Sequence, residues 1–415
     1  MHPRIRTRTR IAAALVSTAA TVIALTGCSG GSGTTGDDKA TITFQEQFSD
    51  AETAQFTKQL AEFEKQHPNI TVKLIRDNDA SYYDKLTTQI AAGQGPDIAR
   101  VEPPRASQFI AAGWVQPLGD AGGSAKDYFP ASLKSVTKDG QLYGVPVDVS
   151  ALALYYRTDL FKAAGIDAPP ATWDEFEADA KTLTKGDVHG VGLFGGWGGF
   201  EFYPWLWQSG AEVVNSDQTK AVFDSPAAVK ALTLWADLQK TAMPKGMAAA
   251  TEDDLKGPFI SGKLAMLTSG PWMLPSLKSA GIDGKWAVAP LPEGEQAATV
   301  LGGLDLVVLK NSKHADAAKT FVKWLMQDST QKTWASALGY LPVKTSLYSD
   351  PAFKDDSSIA TFSTVLQQAK TRPTVAAAGD IDTALGAAVQ SALSGSKTPQ
   401  RALDDAVAAS NKALK

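Results

Sequence analysis

The fold is decided near the start of the chain, where residues 41–101 read TITFQEQFSDAETAQFTKQLAEFEKQHPNITVKLIRDNDASYYDKLTTQIAAGQGPDIARV. Short stretches at 41–44 and 98–101 predict two strands, and the alternation of Ile70, Val72 and Leu74 with polar residues predicts a third. The segments between them carry apolar residues at helical spacing. Strands that alternate with helices pair in parallel through crossover connections. We therefore expect an α/β fold in which a ligand binds at the carboxyl ends of the strands.

The same alternation continues through the rest of the 415-residue chain, which is long enough for two domains. Ser49 with Glu52, and Thr172 with Glu175, have the spacing of capping boxes at helix starts. No long Gly/Ser/Pro-rich linker interrupts the chain after residue 40. We therefore expect two lobes that are joined by several strands.

The composition argues against several classes of function. The chain has 40 basic and 44 acidic residues, a formal charge of −4 that does not suit a nucleic-acid-binding protein. Its single cysteine, Cys28, excludes an internal disulfide framework and a four-cysteine zinc site. Its four histidines are scattered without metal-ligand spacing. We expect no metal, no other cofactor and no nucleic-acid partner.

The N-terminus has the pattern of a bacterial lipoprotein signal. Four arginines in residues 4–10 precede a mostly apolar run, and Leu25-Thr26-Gly27-Cys28 resembles a lipobox. We expect residues 1–27 to be a signal peptide, Cys28 to be lipidated, and residues 28–39 to form a flexible tether. The alternative is a signal anchor with an incidental cysteine. Cleavage before Cys28 removes four arginines and no acidic residue, which changes the formal charge from −4 to −8.

One apparent catalytic motif lies in an unsuitable context. Gly257-x₄-Gly262-Lys263 resembles a phosphate loop, but Leu264 replaces the Ser or Thr that would hold Mg²⁺, and the motif precedes a predicted strand instead of following one. We expect Gly262 to end a helix. Adjacent carboxylates elsewhere in the chain do not face each other on a helix, so they indicate solvated surface.

Aromatic residues are concentrated beside a glycine-rich loop at 195–199. Trp197 and Phe200 lie on or next to this loop, and we expect them to form a ligand wall, because aromatic faces suit the C–H faces of a sugar ring. Trp205 and Trp207 belong to the helical segment that follows, and we expect them in the core.

Seven short motifs follow one another along the chain: Gly95-Pro96-Asp97-Ile98, Phe109 to Trp114, Tyr143 to Pro146, Leu154 to Leu160, Thr172 to Glu175, Phe259 with Gly262 to Met266, and Gly270-Pro271-Trp272. Their order and spacing resemble those of extracellular solute-binding proteins of sugar ABC importers, the maltose/trehalose-binding group. The resemblance covers residues 41 to about 412.

The resemblance implies a type II periplasmic-binding-protein-like fold, with two hinge-linked lobes, central sheets and a ligand cleft. The implied boundaries are residues 40–148 with 303–355 for lobe I, and residues 149–302 with 356–415 for lobe II. Leu274 replaces a second aromatic of the family pattern. The positions that correspond to ligand contacts in the family are Gln47, Glu102, Arg105, Asp148, Trp272, Gly303 and Arg372.

These features predict a monomeric, non-catalytic receptor that is held by lipid on the extracellular face of the cell membrane. It would bind a malto-oligosaccharide-like or trehalose-like sugar and deliver it to the permease subunits of an ABC importer. One alternative is an extracellular glycosidase, which needs two carboxylates about 5–10 Å apart; Glu102 and Asp148 are candidates. Another is the same fold with a polyol phosphate, a polyamine or a metal chelate as its ligand.

Overall fold

The computed structural model describes residues 39–78 and 81–415. The predicted signal peptide, Cys28 and the tether up to residue 38 lie outside the described residues. The strands are β1 (Ala40–Glu46), β2 (Ile70–Arg76), β3 (Ile98–Val101), β4 (Thr137–Lys138), β5 (Gln141–Leu142), β6 (Gly144–Ala151), β7 (Ala153–Tyr156), β8 (His189–Gly192), β9 (Leu264–Ser269), β10 (Ala287–Ala289), β11 (Thr299–Val308) and β12 (Ala369–Lys370).

Helices occupy most of the sequence between the strands. They are α1 (Asp50–Gln66), α2 (Tyr82–Ala91), α3 (Pro103–Ala111), α4 (Thr158–Ala164), α5 (Trp173–Leu183), α6 (Tyr203–Gln208), α7 (Pro226–Thr241), α8 (Glu252–Ile260), α9 (Leu274–Ser279), α10 (Ala315–Leu325), α11 (Asp328–Leu338), α12 (Pro351–Lys354), α13 (Ser357–Leu366), α14 (Ala378–Leu393) and α15 (Pro399–Ala413). No helix in the described part of the chain has both the length and the hydropathy that a membrane crossing requires.

The larger sheet has the strand order β12-β11-β3-β1-β2, and β6 pairs with β11. Strand β1 pairs in parallel with both β2 and β3, with Phe44 opposite Leu74 on one side and Ile98 on the other. Strand β11 is antiparallel to β3 and to β6. The parallel pairing predicted for the first three strands is therefore confirmed.

The smaller sheet has the strand order β10-β7-β9-β8. The chain leaves the larger sheet at the end of β6, enters the smaller one through β7, and returns between β10 and β11. Gly303 of β11 lies opposite Val149 of β6, so the predicted lobe boundaries at 148/149 and 302/303 fall side by side within these paired strands. The division into lobes itself stays a prediction.

The predicted helix ends are present in the structure. The Ser49 hydroxyl accepts the Glu52 N–H at 3.2 Å, and the Glu52 carboxylate accepts the Ser49 N–H at 2.8 Å, which completes the capping box. Gly262 follows α8 with φ +77°, as expected of a residue that ends a helix. Trp205 and Trp207 of α6 are buried in the core, as predicted.

A partly buried carboxylate connects β1 to the residue that precedes β3. The Asp97 carboxylate accepts the Thr43 N–H and hydroxyl at 2.7 Å each, and the Ser312 hydroxyl at 2.6 Å. Burial alone would raise the pKa of Asp97, but these bonds from Ser312 and Thr43 hold it below its ordinary value. The charged form of Asp97 therefore stabilises the folded protein.

We expect Asp97→Asn to lower the free energy of unfolding at pH 7 by about 2 kcal/mol, because bonds to a charged acceptor are replaced by weaker ones. The folded pKa is depressed, so this contribution is complete above the ordinary Asp value of about 4 and is lost as the pH falls through the folded value. Urea unfolding of both proteins from pH 7 to pH 3 measures the difference, with the exposed Asp187→Asn as control. A difference that stays constant over this range would contradict the assignment.

Candidate ligand-binding site

A cavity of about 430 Å³ opens where the larger and smaller sheets come together, within the size range of small-molecule sites. It collects residues from the end of β3, from the paired strands β6 and β11, from the glycine-rich loop after β8, and from the turn after β9. Its lining residues are Glu102, Asp148, Ser150, Trp197, Phe200, Trp272, Gly302, Gly303, Leu304, Tyr340, Arg372 and Asp382.

On one side of the cavity, the buried Arg100 lies between two carboxylates. Its Nη2 is 2.9 Å from Oδ2 of Asp148, and its Nη1 is 3.3 Å from Oε1 of Glu52. The Tyr340 hydroxyl donates to the same Oε1 of Glu52 at 2.8 Å. Burial raises the pKa of Asp148 although Arg100 lies beside it. The pair of Asp148 and Arg100 therefore presents a compensated charge to the cavity instead of an isolated one.

A second buried guanidinium, that of Arg372, lies on another side. Its Nη1 is 3.2 Å from Oε2 of Glu102 and 3.6 Å from Oδ1 of Asp382, and its Cζ lies 5.1 Å from the centre of the Phe200 ring. Glu102 stands at the N-cap position of α3 without capping it, which leaves its carboxylate available to Arg372. The Nε of Arg372 is buried and has no hydrogen-bond partner within the described residues.

Indole rings form the remaining wall. The Trp197 and Trp272 rings lie 6.1 Å apart at 55°, and Trp197 packs edge-on against Phe194 at 5.1 Å. Trp197 is 38% exposed, and no other large hydrophobic side chain in the described part of the chain is as exposed. An exposed indole next to polar groups suits a ligand that has both apolar faces and hydroxyls.

Gly303 allows strands β6 and β11 to approach closely beside the cavity. Its φ is +109°, and a Cβ at this position would lie 2.3 Å from the carbonyl oxygen of Asp148. Any side chain would therefore displace the backbone that carries Asp148. The register of β11 against β6 shifts directly after this point, between Leu304 and Asp305.

The structure brings most of the predicted site residues together and leaves two out. Gln47 and Arg105 are absent from the cavity lining; the Arg105 guanidinium instead bonds Gln108 at 3.0 Å and lies over the Tyr83 ring. Leu274, which stands where the family pattern has a second aromatic residue, is buried in the core. The predicted residues that line the cavity are Glu102, Asp148, Trp197, Phe200, Trp272, Gly303 and Arg372.

Sequence reasoning missed several lining residues. Ser150 could have been found, because it lies two positions after Asp148 and therefore on the same face of β6. Tyr340 and Asp382 carried no local signal, since Tyr340 follows α11 after Gly339 and Asp382 lies in the second turn of α14. Both reach the cavity only through the tertiary fold.

An open cavity with an aromatic wall and paired charged groups, lined by residues from both sheets, is typical of a protein that binds a small ligand. Residues 49–332 match the family described as bacterial extracellular solute-binding protein, and the chain belongs to this family. Among the described residues, no group of three or more His, Cys, Asp or Glu side chains could hold a metal ion.

Three known proteins illustrate the similarity. The GacH receptor of Streptomyces glaucescens, solved unliganded and with acarbose, has a TM-score of 0.83 and 27% identity over 91% of this chain and 98% of its own. The maltose-bound MalE3 of T. maritima has a TM-score of 0.82 and 30% identity over 89% of this chain and 98% of its own. The maltodextrin-binding protein MdxE of Bacillus subtilis is 26% identical over 83% of this chain and 84% of its own. These similarities confirm the predicted type II fold.

We expect Asp148→Asn to lower the free energy of unfolding by about 3 kcal/mol, because it leaves the buried Arg100 with one of its two carboxylate partners. Urea unfolding at pH 7 measures the loss. The matched control is Glu177→Gln, which removes an exposed i,i+4 pair with Lys181 and should cost no more than about 0.5 kcal/mol. Equal effects of the two substitutions would contradict the importance assigned to the buried pair.

Proposed function

We propose that the protein is the sugar-binding subunit of an ABC importer, a non-catalytic receptor that captures an oligosaccharide and hands it to the membrane permease. The observation that carries this proposal is the combination of an indole wall, Trp197 with Trp272, and carboxylates that are already paired with arginines. Such a site offers flat apolar faces and fixed hydrogen-bonding groups at the same time. A sugar ring presents the complementary surfaces.

The charges around the cavity support a neutral ligand. Asp148 is paired with Arg100, while Glu102 and Asp382 share Arg372. With Glu52, the second partner of Arg100, a polyol phosphate would meet four carboxylates for two guanidiniums. A polyamine would have to compete with arginines that already occupy those carboxylates. A neutral sugar can use these groups as acceptors and donors without disrupting either pair.

The same pairing weighs against the alternative of a glycosidase. A glycosidase needs one carboxyl that gives up a proton and a second that acts as a base or nucleophile. Asp148 is held by Arg100 at 2.9 Å and Glu102 by Arg372 at 3.2 Å. Both candidate carboxylates therefore serve as fixed acceptors, a role suited to binding.

A malto-oligosaccharide or a trehalose-like disaccharide is the ligand that we propose. The support comes from the ligands of similar proteins: maltodextrin for MdxE, maltose for MalE3, and acarbose for the GacH receptor. The proposal also includes closure of the two predicted lobes over the sugar at the paired strands β6 and β11. Closure requires that the sugar bind the closed form more tightly than the open one.

Calorimetric titration with maltose, maltotriose, trehalose and a galacto-oligosaccharide, followed by product analysis, tests the proposal. We expect saturable binding of at least one α-glucose oligosaccharide and no turnover. As a site control, Trp272→Ala should weaken binding about thirtyfold through lost contact area. The half-buried Trp286→Ala, outside the cavity, should leave the affinity unchanged. Hydrolysis of the sugar, or binding only of the galacto-oligosaccharide, would overturn the assignment.

We further propose that Cys28 carries the lipid that holds a monomeric receptor on the outer face of the cell membrane. The support is the lipobox-like sequence before Cys28 and the Gly/Ser/Thr/Asp-rich residues that follow it. Lipid attachment leaves the sugar-binding unit in solution next to its permease.

We expect Cys28→Ser to release the protein from the membrane fraction, because the acceptor thiol is lost. Metabolic labelling with a fatty acid and cell fractionation measure the change, and Ser29→Ala serves as control. A protein that takes up no fatty-acid label and stays in the membrane fraction whether or not Cys28 is replaced would favour the signal-anchor alternative.

A further inference from the structure

A buried carboxylate stands behind the indole wall. Glu252, the first residue of α8, is 3% exposed, and its Oε2 accepts two hydrogen bonds of 2.7 Å. One comes from the Ser269 hydroxyl at the end of β9 and the other from Nε1 of Trp272. Trp272 itself lines the cavity, so Glu252 is connected to the site through this one side chain.

The opposite edge of the same indole is fixed by a glycine. A Cβ at Gly270 would lie 2.1 Å from Cζ3 of Trp272 and 2.3 Å from its Cη2. The six-membered ring therefore occupies the space where a side chain at position 270 would stand. With Nε1 bonded to Glu252 on one edge and the ring lying over Gly270 on the other, the indole has one orientation that satisfies both contacts.

The hydrogen bond also decides what Trp272 can offer to a ligand. An indole has a single donor, the Nε1–H. Glu252 takes this donor, so the part of Trp272 that faces the cavity can contribute apolar ring surface and no hydrogen bond. A site that holds this ring in advance saves the cost of ordering a free side chain when the ligand binds.

We propose that Glu252 is a positioning residue of the sugar site, which holds Trp272 as a preorganised, donor-free platform for the apolar face of a sugar ring. This inference rests on the proposed sugar-binding function. It extends that function to a residue that does not line the cavity and whose effect on binding passes entirely through Trp272.

A neighbouring carboxylate provides the matched control. Glu201 is 1% exposed and accepts the Thr268 hydroxyl at 2.6 Å, one position before Ser269 on β9. Burial raises the pKa of both Glu201 and Glu252. The carboxylate of Glu201 resembles that of Glu252 in burial and in its hydroxyl partner, but it accepts its hydrogen bond from Thr268 and not from an indole.

The first measurement is the ¹⁵N–¹H indole signal of Trp272, assigned by its loss in Trp272→Phe. In the full-length protein without sugar, we expect Glu252→Leu to shift this signal and to speed its exchange with water. Glu252→Gln keeps an acceptor oxygen and should leave the signal close to its original position. Glu201→Leu should not move it. An unchanged signal in Glu252→Leu would overturn the proposal, whether or not the protein binds sugar.

The second measurement is a double-mutant cycle on maltotriose affinity. We expect Glu252→Leu to weaken binding about two- to tenfold, the cost of immobilising one freed side chain, and Glu252→Gln to restore most of that loss. In a Trp272→Phe background, which lacks the indole N–H, Glu252→Leu should have little further effect. Equal losses in both backgrounds would mean that Glu252 acts on the fold alone, and would overturn the proposal.

If the original protein bound no sugar at all, the proposed function would fail, and the indole signal would still decide whether Glu252 positions Trp272.

Discussion

Arg100 is the residue on which the geometry of the site depends. Its guanidinium is buried at the end of the central strand β3, where a charge without partners would be very unfavourable. Its partners come from separate elements: Glu52 from the first turn of α1 and Asp148 from β6. The burial of this one charge therefore requires that α1, β3 and β6 come together, and Tyr340 joins them through Glu52.

The polar and apolar contacts of the cavity come from different groups of residues. Arg100 and Arg372 each hold two carboxylates, so the hydrogen-bonding groups are fixed in place. Trp197 and Trp272 supply surface, and Glu252 removes the one polar group of Trp272 from the cavity. Recognition of a neutral, hydroxyl-rich ligand follows from this separation of polar and apolar roles.

Much of the fold could be predicted because its signals are local. The period of two at 70–74 indicated β2, and the spacing of Ser49 and Glu52 indicated the start of α1. Glu102 could be predicted as a cavity residue because it directly follows the buried strand β3. Asp148 lies inside β6, and the resemblance to the family is what indicated it.

Other features could not be predicted, because they depend on contacts between distant segments. Arg105 follows the same strand as Glu102, yet its guanidinium turns to Gln108 and to the ring of Tyr83. Tyr340 and Asp382 reach the cavity from segments far along the chain. The bond from Trp272 to Glu252 spans 20 residues, and no spacing rule indicates it.

The most direct test of the account is a crystal structure of the protein with maltotriose. The account predicts that one glucose ring lies with its C–H face against Trp272 and Trp197, and that its hydroxyls bond to Glu102, Asp148 or Arg372, while the Arg100–Asp148 pair stays intact. A maltotriose bound outside this cavity, or one that separates Asp148 from Arg100, would contradict it.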